Sequence, residues 1–406
     1  MTVHVNAGDT AWILASSALV MFMTPGLAFF YGGLVRVKNV LATIMQSFIA
    51  LALVTVLWVL IGYTLAFGPD KAGLIGGLDF VGLRHVGAAP SAYAPTVPAT
   101  AFMVFQLMFA IITPALIAGA FAERMKFSGY LMLIGLWSIL VYAPVAHWQW
   151  GGGFLGANGV GALDFAGGAV VHANAGAAAL ATAIYMGKRR GHGSEDMSPH
   201  NVPFVILGAG ILWFGWFGFN AGSALASNAL ASSAFVNTQL GAAAAVLGWI
   251  LLERLRSGRV TTIGAATGAV AGLATITPAA GYVQPLAALA IGLVAGVVCF
   301  QAVSFKERFG YDDSLDVVGV HMVGGIIGVL LTGAFASLAI NAAGAAASLA
   351  LVGKQAVLAG VTVAFSFAAT LAILKVTDVT VGLRVTDEHE EAGLDSSQHG
   401  EVGYRF

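Results

Sequence analysis

The chain has 406 residues, enough for two or three soluble domains, but its composition excludes that organisation. Hydrophobic residues make up 58% of it and charged residues only 9%, whereas soluble domains are about a quarter charged. The formal net charge is -1, so no basic surplus exists that would bind nucleic acid. The single cysteine, Cys299, excludes a disulfide framework and a cysteine-based metal cluster. The composition predicts an all-α polytopic protein embedded in a lipid bilayer.

Eleven apolar stretches approach or exceed the roughly 20 residues that a helix needs to cross the hydrocarbon core. They are the predicted spans 11–33, 40–66, 99–121, 129–150, 164–187, 202–223, 229–252, 260–280, 284–304, 316–339 and 352–376. The first ten residues carry no Lys or Arg, unlike the start of a secretory signal peptide. The composition shifts only near residue 380, so we predict a transmembrane domain over residues 1–380 and a cytoplasmic tail over residues 381–406.

Basic residues are divided unevenly between the two sides of the predicted membrane. If the N-terminus lies outside, fifteen of the eighteen Lys and Arg fall in the loops and tail that are then inside, and only Lys71, Arg84 and Lys354 fall outside. Such an excess of cytoplasmic Lys and Arg is the rule for membrane proteins. An odd number of spans then puts the C-terminus in the cytoplasm, as expected for a multi-pass protein of a cell (inner) membrane.

Two of the predicted spans share a short pattern. Leu163-Asp164-Phe165 precedes His172 in the fifth span, and Leu315-Asp316-Val317 precedes His321 in the tenth. Two five-helix halves that each end in a His-bearing helix would have opposite topology. Such an inverted repeat places a binding site near the midplane between the halves. A chance match in a chain rich in Gly, Ala and Val is the alternative.

Ionisable side chains inside the predicted spans are the candidate functional residues, because burying one in a membrane is unfavourable unless it has a partner or a function. Asp164, His172 and His321 lie within spans, and His147 and Asp316 lie nearer the span ends. A single histidine could simply fill space while donating to a carbonyl group. Two histidines on corresponding helices could instead share one proton and form a polar line through an apolar pore.

The same residues do not favour a metal site or an active site. Two histidines with at most one carboxylate are too few ligands for a closed metal shell. No serine, cysteine or carboxylate is spaced near them as a catalytic partner. We therefore expect no metal, no cofactor and no enzymatic activity.

Asp164 and Trp150 each allow two interpretations. Asp164 begins a predicted helix, where its carboxylate would accept the free N–H groups of the first turn and, by fixing that turn, aim carbonyl oxygens at a passing cation. Trp150 precedes three glycines at the outer end of the fourth span. It is either an interfacial aromatic residue or an open indole that attracts a cation by about 0.5 to 2 kcal/mol. Phe105, Phe109 and Phe219 would not be singled out from packing residues by their spacing alone.

Five motifs occur in order along the chain, namely Asp164 to Gly168, Val171 to Gly176, Trp216 to Ser223, Thr275 to Tyr282 and Asp316 to Gly325. Together they resemble the ammonium transporter family (Amt/Mep/Rh), and its bacterial-type Amt branch in particular. The tail, which includes Gly382 to Arg384, Gly393 to Asp395 and His399 to Glu401, also resembles the bacterial Amt tail. The tail and Trp150 together fit the Amt branch better than the Rh branch.

The resemblance implies a homotrimer of eleven-helix subunits, each with its own pore and with two five-helix inverted repeats plus an eleventh helix. The residues that match the family's substrate path are Trp150, Phe109, Ser223 and Asp164 at the outer ammonium site, Phe109 and Phe219 at a gate, and His172 and His321 as the pore lining and proton relay. The expected substrate is therefore ammonium, which crosses as ammonia.

The expected mechanism follows from what distinguishes ammonium from potassium. The two ions are alike in charge and similar in size, but only ammonium has a proton to lose. Because a bare cation in a dry apolar pore meets a large desolvation penalty, a pore that admits only the deprotonated species rejects potassium. The alternatives are an ammonium sensor with little flux, a metal-dependent membrane enzyme, and an Rh-type neutral gas channel.

The predicted tail is acidic, with six Asp and Glu and one Arg in residues 386–406. Anionic lipid would repel such a segment, so it does not anchor the chain to the membrane surface. It is either a solvated, disordered end or, as the resemblance implies, an ordered segment on the cytoplasmic face where a PII-type signalling protein docks. The loop from Lys188 to Ser198 is a second candidate contact for that partner.

Overall fold

The computed structural model describes residues 4–405, which consist mainly of ten long apolar helices and one shorter one. They are α1 (Ala7–Leu34), α2 (Val37–Phe67), α3 (Ala99–Ala120), α4 (Phe127–Trp150), α5 (Gly168–Met186), α6 (Val202–Gly222), α7 (Ala229–Ser257), α8 (Thr262–Ile276), α9 (Pro285–Phe305), α10 (Val318–Phe335) and α11 (Leu349–Thr380). Within residues 4–405, ten helices are long and apolar enough to cross a membrane, and α8 is a shorter apolar helix. The prediction of an all-α, multi-pass membrane protein is confirmed. Residues 1–3 of the predicted first domain and residue 406 of the tail lie outside the described residues.

Helix α8 lies within the span predicted at 260–280 but is shorter than that prediction, and local chemistry explains why it has only 15 residues. The side chain of Thr261 accepts a hydrogen bond from the N–H of Gly264 at 2.9 Å and so caps the helix N-terminus. The helix ends two residues before Pro278, which has no N–H to continue the hydrogen-bond ladder. It is enclosed by α6, α7, α9 and α10, and most of its residues are buried.

Small residues bring the helices into close contact. Helix α6 packs along α1, and a Cβ added at Gly208 would lie 2.7 Å from the Cα of Phe30. Helix α9 packs along α7 in the same way, because a Cβ at Gly296 would lie 2.8 Å from the backbone nitrogen of Trp249. Such contacts exclude any side chain larger than hydrogen, and they are typical of helix association in lipid.

Four of the long helices contain a π-helical turn within the described part of the chain. The turns are Trp58–Gly62, Ser138–Tyr142, Gly168–Ala173 and Val318–Met322. The last two turns contact each other and carry His172 and His321. π-Helical turns are rare and often occur at functional sites, so this contact directs attention to the two histidines.

Two short antiparallel hairpins lie between α2 and α3. The first pairs β1 (Asp70–Lys71) with β2 (Ile75–Gly76), and the second pairs β3 (Pro90–Ser91) with β4 (Ala94–Pro98). Both hairpins lie near the end of α4 that carries Trp150, because Gly73 and Tyr93 contact the segment that follows this residue.

The tail is ordered against the helices, as the resemblance implies and contrary to a disordered end. It forms α12 (Asp387–Ala392) and a π-helical turn, Asp395–His399. Asp395 Oδ1 accepts the N–H of Ala42 at 2.8 Å, and the N–H of Leu394 donates to Asn39 Oδ1 at 2.8 Å. The ring of His399 contacts that of Phe127 at the start of α4. We call this end of the bundle the tail face and the opposite end, where α4 finishes at Trp150, the vestibule face.

Candidate functional site

A cavity of about 500 Å³ opens on the vestibule face. Phe109, Trp150, Asp164 and Ser223, the four residues predicted for an outer ammonium site, all contribute to its lining. The structure therefore brings together side chains from α3, from the end of α4, and from the segments just before α5 and just after α6. Further lining side chains, to which the sequence assigned no role in this site, include Tyr93, Phe102, Gln106, Tyr282 and Lys354. We call this cavity the vestibule.

The indole of Trp150 is held in place by its polar edge. Its Nε1–H donates to the backbone oxygen of Asp164 at 2.9 Å, and its ring centroid lies 6.1 Å from that of Phe109 at 79°. Ser223 follows the last residue of α6, and its hydroxyl donates to the carbonyl of Phe219 at 2.8 Å. Because the hydroxyl proton of Ser223 is donated to Phe219, the lone pairs of its oxygen can accept a hydrogen bond from a donor in the vestibule.

Asp164 lies four residues before the first residue of α5, not inside the span that the sequence predicts from residue 164. Its two carboxylate oxygens accept four backbone N–H groups at 2.7 to 3.1 Å, those of Gly167, Gly168, Ala169 and Val170. The capping interpretation of this residue is confirmed. Gly167 adopts φ +119°, a conformation that an L side chain rarely adopts, so the turn is built around this aspartate and a glycine.

Two phenylalanine rings separate the vestibule from the interior. The centroids of Phe109 and Phe219 lie 4.4 Å apart, and both side chains are 1% exposed. Phe105 packs edge-on against Phe109 with a centroid separation of 4.9 Å. Phe109 lines the vestibule and Phe219 lines the cavity below it, so the ring pair lies between the two.

Beneath these rings, the two histidines meet. Nδ1 of His172 and Nδ1 of His321 lie 3.2 Å apart, and the ring planes are 16° from parallel. Both side chains are buried, and they line a cavity of about 10 Å³, which is close to the smallest volume that holds one water molecule. The other residues around this cavity are apolar or aromatic, namely Met23, Leu27, Phe30, Ile112, Leu116, Val171, Leu212, Trp216, Phe219 and Val270.

The contact between the two Nδ1 atoms requires one of them to donate and the other to accept. Among the described residues, Nε2 of His172 has no hydrogen-bond partner although it is buried. The ring of His172 also stacks on Trp216 with a centroid separation of 5.4 Å, and the indole of Trp216 donates to Thr277 Oγ1 at 2.9 Å. The sequence named Trp216 only as part of a motif, and its packing role against His172 could not be read from it.

A third cavity, of about 40 Å³, continues from the histidines toward the tail face. His321 lines both this cavity and the one above it. Asp316 lies at its far side, where its carboxylate contacts Lys306. We call it the exit cavity. Four features therefore follow one another along the bundle, namely the vestibule, the Phe109–Phe219 pair, the histidine cavity and the exit cavity.

The capping residue that corresponds to Asp164 is Asp313, which the sequence analysis missed. The shared Leu-Asp pattern pairs Asp164 with Asp316, but Asp316 does not cap α10. Instead, Asp313 Oδ2 accepts the N–H of Val318 at 2.7 Å. The signal that would have identified it is the spacing, because Asp164 precedes His172 and Asp313 precedes His321 by eight residues each.

Asp313 is buried next to Lys306 and differs electrostatically from an ordinary surface carboxylate. Its backbone oxygen accepts from Lys306 Nζ at 2.8 Å, and its side-chain Oδ1 has no hydrogen-bond partner among the described residues. Burial, reinforced by Asp316 and opposed by Lys306, raises the pKa of Asp313 to about 6. This carboxyl group therefore titrates close to neutral pH.

Within residues 4–405, no group of three or more His, Cys, Asp or Glu is arranged to hold a metal ion. The path instead consists of aromatic rings, two imidazoles and apolar side chains, inside a bundle of helices long enough to span a membrane. A series of cavities through such a bundle defines a membrane transport protein.

Comparison with known proteins gives the family. A sequence profile described as "Ammonium Transporter Family" matches residues 11–404. An ammonium transporter of Mycobacterium tuberculosis (strain ATCC 25618 / H37Rv) is 50% identical, with 99% of this chain and 91% of that protein covered. The ammonium transporter of Bacillus subtilis (strain 168) is 49% identical, with 98% of each chain covered.

Solved structures agree with the sequence comparisons. The crystal structure of Saccharomyces cerevisiae Mep2 is 36% identical and matches with a TM-score of 0.91, covering 98% of this chain and 92% of that one. A structure described as a sensor Amt protein is 29% identical, with a TM-score of 0.90 and 97% and 98% of the two chains covered. The chain belongs to the ammonium transporter family. It functions in ammonium transport and is a transporter, not an enzyme.

Proposed function

We propose that the protein captures ammonium in the vestibule, removes its proton and conducts ammonia through the histidine-lined pore. Capture uses the ring faces of Trp150 and Phe109, which attract a cation, and the lone pairs of Ser223, which accept one of its N–H groups. Asp164 acts by holding the turn beside Trp150, because its oxygens are occupied by four backbone N–H groups.

The Phe109–Phe219 pair acts as the gate, and selectivity arises below it. The histidine cavity has an apolar lining and a volume of about 10 Å³, so a hydrated cation does not fit and a bare one is poorly solvated. Ammonia is small and uncharged, and it gains a hydrogen-bonding partner at Nε2 of His172. This unpartnered nitrogen, buried beneath the gate, is the observation that carries the proposal.

The proton is relayed separately through the imidazole pair. A proton arrives at Nε2 of His172, the proton between the two Nδ1 atoms moves to His321, and His321 releases the proton on its own Nε2 toward the exit cavity. The 3.2 Å separation of the Nδ1 atoms supports this exchange, because it is within hydrogen-bonding distance. Rotation of both rings then returns the pair to its first tautomer, since a reverse proton transfer would carry the charge back. Transport is consequently electrogenic, since one positive charge crosses with each ammonia.

The proposal is tested with purified protein in liposomes on a solid-supported membrane. Ammonium pulses should give a current that saturates with concentration, and potassium pulses of equal strength should give none above protein-free liposomes. Ammonium uptake without current would indicate an Rh-type neutral gas channel instead. A potassium current as large as the ammonium current would contradict deprotonation as the basis of selectivity.

We further propose the assembly and orientation that the resemblance implies. The subunit has its N-terminus outside and its C-terminus inside, with two five-helix inverted repeats plus an eleventh helix, and three subunits form a homotrimer in the cell (inner) membrane. A PII-type protein docks on the tail face. Supporting this last point, Arg190 in the loop 188–198 donates its N–H to Glu390 of the tail at 2.6 Å, so the two candidate contacts are adjacent.

A second candidate function is ammonium sensing with little flux. It is favoured by the likeness to the structure described as a sensor Amt protein. The two functions differ in the liposome experiment, because a sensor would bind ammonium with a saturable change in tryptophan fluorescence but carry a current at the level of protein-free liposomes.

A further inference from the structure

A buried histidine on the vestibule face is hydrogen-bonded at both ring nitrogens. The side chain of His147 is 0% exposed and lies one turn before Trp150 on α4. Its Nδ1 lies 2.9 Å from the backbone oxygen of Ala66, and its Nε2 lies 2.8 Å from Asp70 Oδ1. Neither the pore nor the proton relay uses this residue.

Both partners of His147 are hydrogen-bond acceptors. A backbone carbonyl can only accept a hydrogen bond, and an ionised carboxylate can only accept as well. The hydrogen bond from His147, followed by that from the N–H of Gly73, holds the pKa of Asp70 below its usual value, so this carboxyl group is ionised at neutral pH. The ring of His147 is therefore held between a backbone carbonyl and a carboxylate.

The Asp70–His147 contact joins the β1–β2 hairpin to the segment that carries Trp150. The backbone oxygen of His147 accepts the N–H groups of Gly151 and Gly153 at 3.0 Å each. On the hairpin side, the backbone oxygen of Gly73 accepts the N–H of Phe154 at 3.1 Å. The turn after Trp150 is therefore fixed from both sides, and the Asp70–His147 contact links the two sides.

The turn has little freedom to adjust if this link is lost. A Cβ at Gly151 would lie 2.6 Å from Nδ1 of His147, so the ring and the turn are in van der Waals contact. Tyr93 donates its hydroxyl proton to the oxygen of Gly151 at 3.1 Å, and Tyr93 also lines the vestibule. A shift of the turn would move both Trp150 and Tyr93 relative to the captured cation.

We propose that Asp70 and His147 are positioning residues that fix the Trp150 side of the vestibule, as a hydrogen-bonded carboxylate–imidazole pair that sets the affinity for ammonium. This inference rests on the proposed role of Trp150 in ammonium capture. It predicts that breaking the pair weakens capture and leaves the conduction steps beyond the gate intact.

The first test measures ammonium-dependent currents of Asp70→Asn in liposomes. Asp70 is at the surface, so the substitution removes the charge without opening a cavity. We expect KM to rise by about threefold or more with kcat within about twofold of wild type, the pattern of lost ground-state binding. Asp70→Glu, which keeps a carboxylate, should bring KM back toward the wild-type value. An unchanged KM in Asp70→Asn, or a fall in kcat alone, would overturn the proposal.

Asp79→Asn is the matched control, because Asp79 is an exposed carboxylate after the same hairpin and is not bonded to His147. If Asp79→Asn raised KM as much as Asp70→Asn, the effect would be general surface electrostatics and the proposal would be wrong. Trp150→Leu separates the two claims. If it leaves KM unchanged, the proposed capture site fails, whereas a raised KM in Trp150→Leu with none in Asp70→Asn overturns only the positioning role.

The second test is independent of transport. Solid-state NMR of ¹⁵N-histidine-labelled protein should show the ring-nitrogen signal of one of the nine histidines shifted in Asp70→Asn, because Nε2 of His147 loses its carboxylate partner. The same signal should be unchanged in Asp79→Asn. Identical histidine spectra of wild type and Asp70→Asn would contradict the contact between His147 and Asp70.

Discussion

Asp164 and Asp313 cap the π-helical turns of the two pore histidines from equivalent positions, but they are not equally satisfied. Asp164 accepts four backbone N–H groups, whereas Asp313 Oδ2 accepts that of Val318 and its Oδ1 has no partner among the described residues. On the vestibule side of the pore, the capping carboxylate of Asp164 is therefore fully hydrogen-bonded. On the exit side, the capping carboxyl group of Asp313 can change its protonation state.

The pKa of Asp313 predicts a pH dependence of stability. Its folded value of about 6 exceeds the ordinary value of 3.8, so the folded state binds the proton more tightly. Stability that depends on this proton is present below about pH 4 and is lost as the pH rises to about 6, with a total on the order of 3 kcal/mol. Asp313→Asn stays neutral and should not lose it.

The measurement is thermal unfolding of both proteins in detergent between pH 4.5 and 7.5. The Tm of wild type should fall relative to that of Asp313→Asn as the pH rises, because all other titrating groups are shared. A difference in Tm that stays constant over this range would contradict an ionising Asp313.

Removing the carboxylate of Asp164 should have a larger effect on stability. Asp164→Ala would leave four N–H groups without an acceptor inside the protein, and each unsatisfied donor is unfavourable by about 1 to 3 kcal/mol. We expect a large drop in Tm and loss of ammonium current. Asp313→Ala is the control, since it removes the acceptor of the Val318 N–H and should lower Tm much less. Equal drops in the two variants would show that the four hydrogen bonds do not carry the stability of the turn.

Replacing the indole of Trp150 should weaken ammonium capture. A cation–π contact contributes about 0.5 to 2 kcal/mol, so Trp150→Leu should raise KM by about 2- to 30-fold with little change in kcat. Trp213→Leu is a suitable control, because Trp213 does not line the vestibule and its indole donates to Gln239. If both variants had the same KM as wild type, the indole of Trp150 would have no part in binding.

Much of this architecture could be predicted from the sequence because its signals are local. Apolar runs between charged residues gave the helix ends to within a few residues, and α8 was recognised although it is short. The pore residues could be identified only through the resemblance to the ammonium transporter family. Spacing alone could not distinguish Phe109 and Phe219 from packing residues, since their role depends on a contact between α3 and α6.

Other features depend on contacts that the sequence does not encode locally. Asp70 and His147 are 77 residues apart, and nothing in either neighbourhood indicates that they meet. Asp313 was missed because the shared Leu-Asp pattern aligns Asp164 with Asp316, three residues away from the residue that caps α10. The acidic composition of the tail could not reveal that Asp395 accepts a backbone hydrogen bond near the N-terminus of α2.

The tail contacts predict that its removal changes transport. Asp395 accepts the N–H of Ala42 near the start of α2, so truncation after Thr380 would leave that N–H without its acceptor and release the loop held by Glu390. We expect loss of ammonium current or of its regulation. Asp395→Ala should reproduce part of the effect, and Glu401→Ala, which alters an exposed acid, should not. Unaltered uptake together with an unaltered response to a PII-type protein would exclude the tail from the mechanism.

The most direct test replaces both pore histidines by leucine, His172→Leu together with His321→Leu, and compares ammonium and potassium currents on a solid-supported membrane. Without the imidazoles, the pore has neither the nitrogen that binds ammonia nor a relay for the proton. The account predicts that the ammonium current falls to the level of protein-free liposomes or ceases to be distinguished from that of potassium. An undiminished ammonium current that still rejects potassium would contradict it.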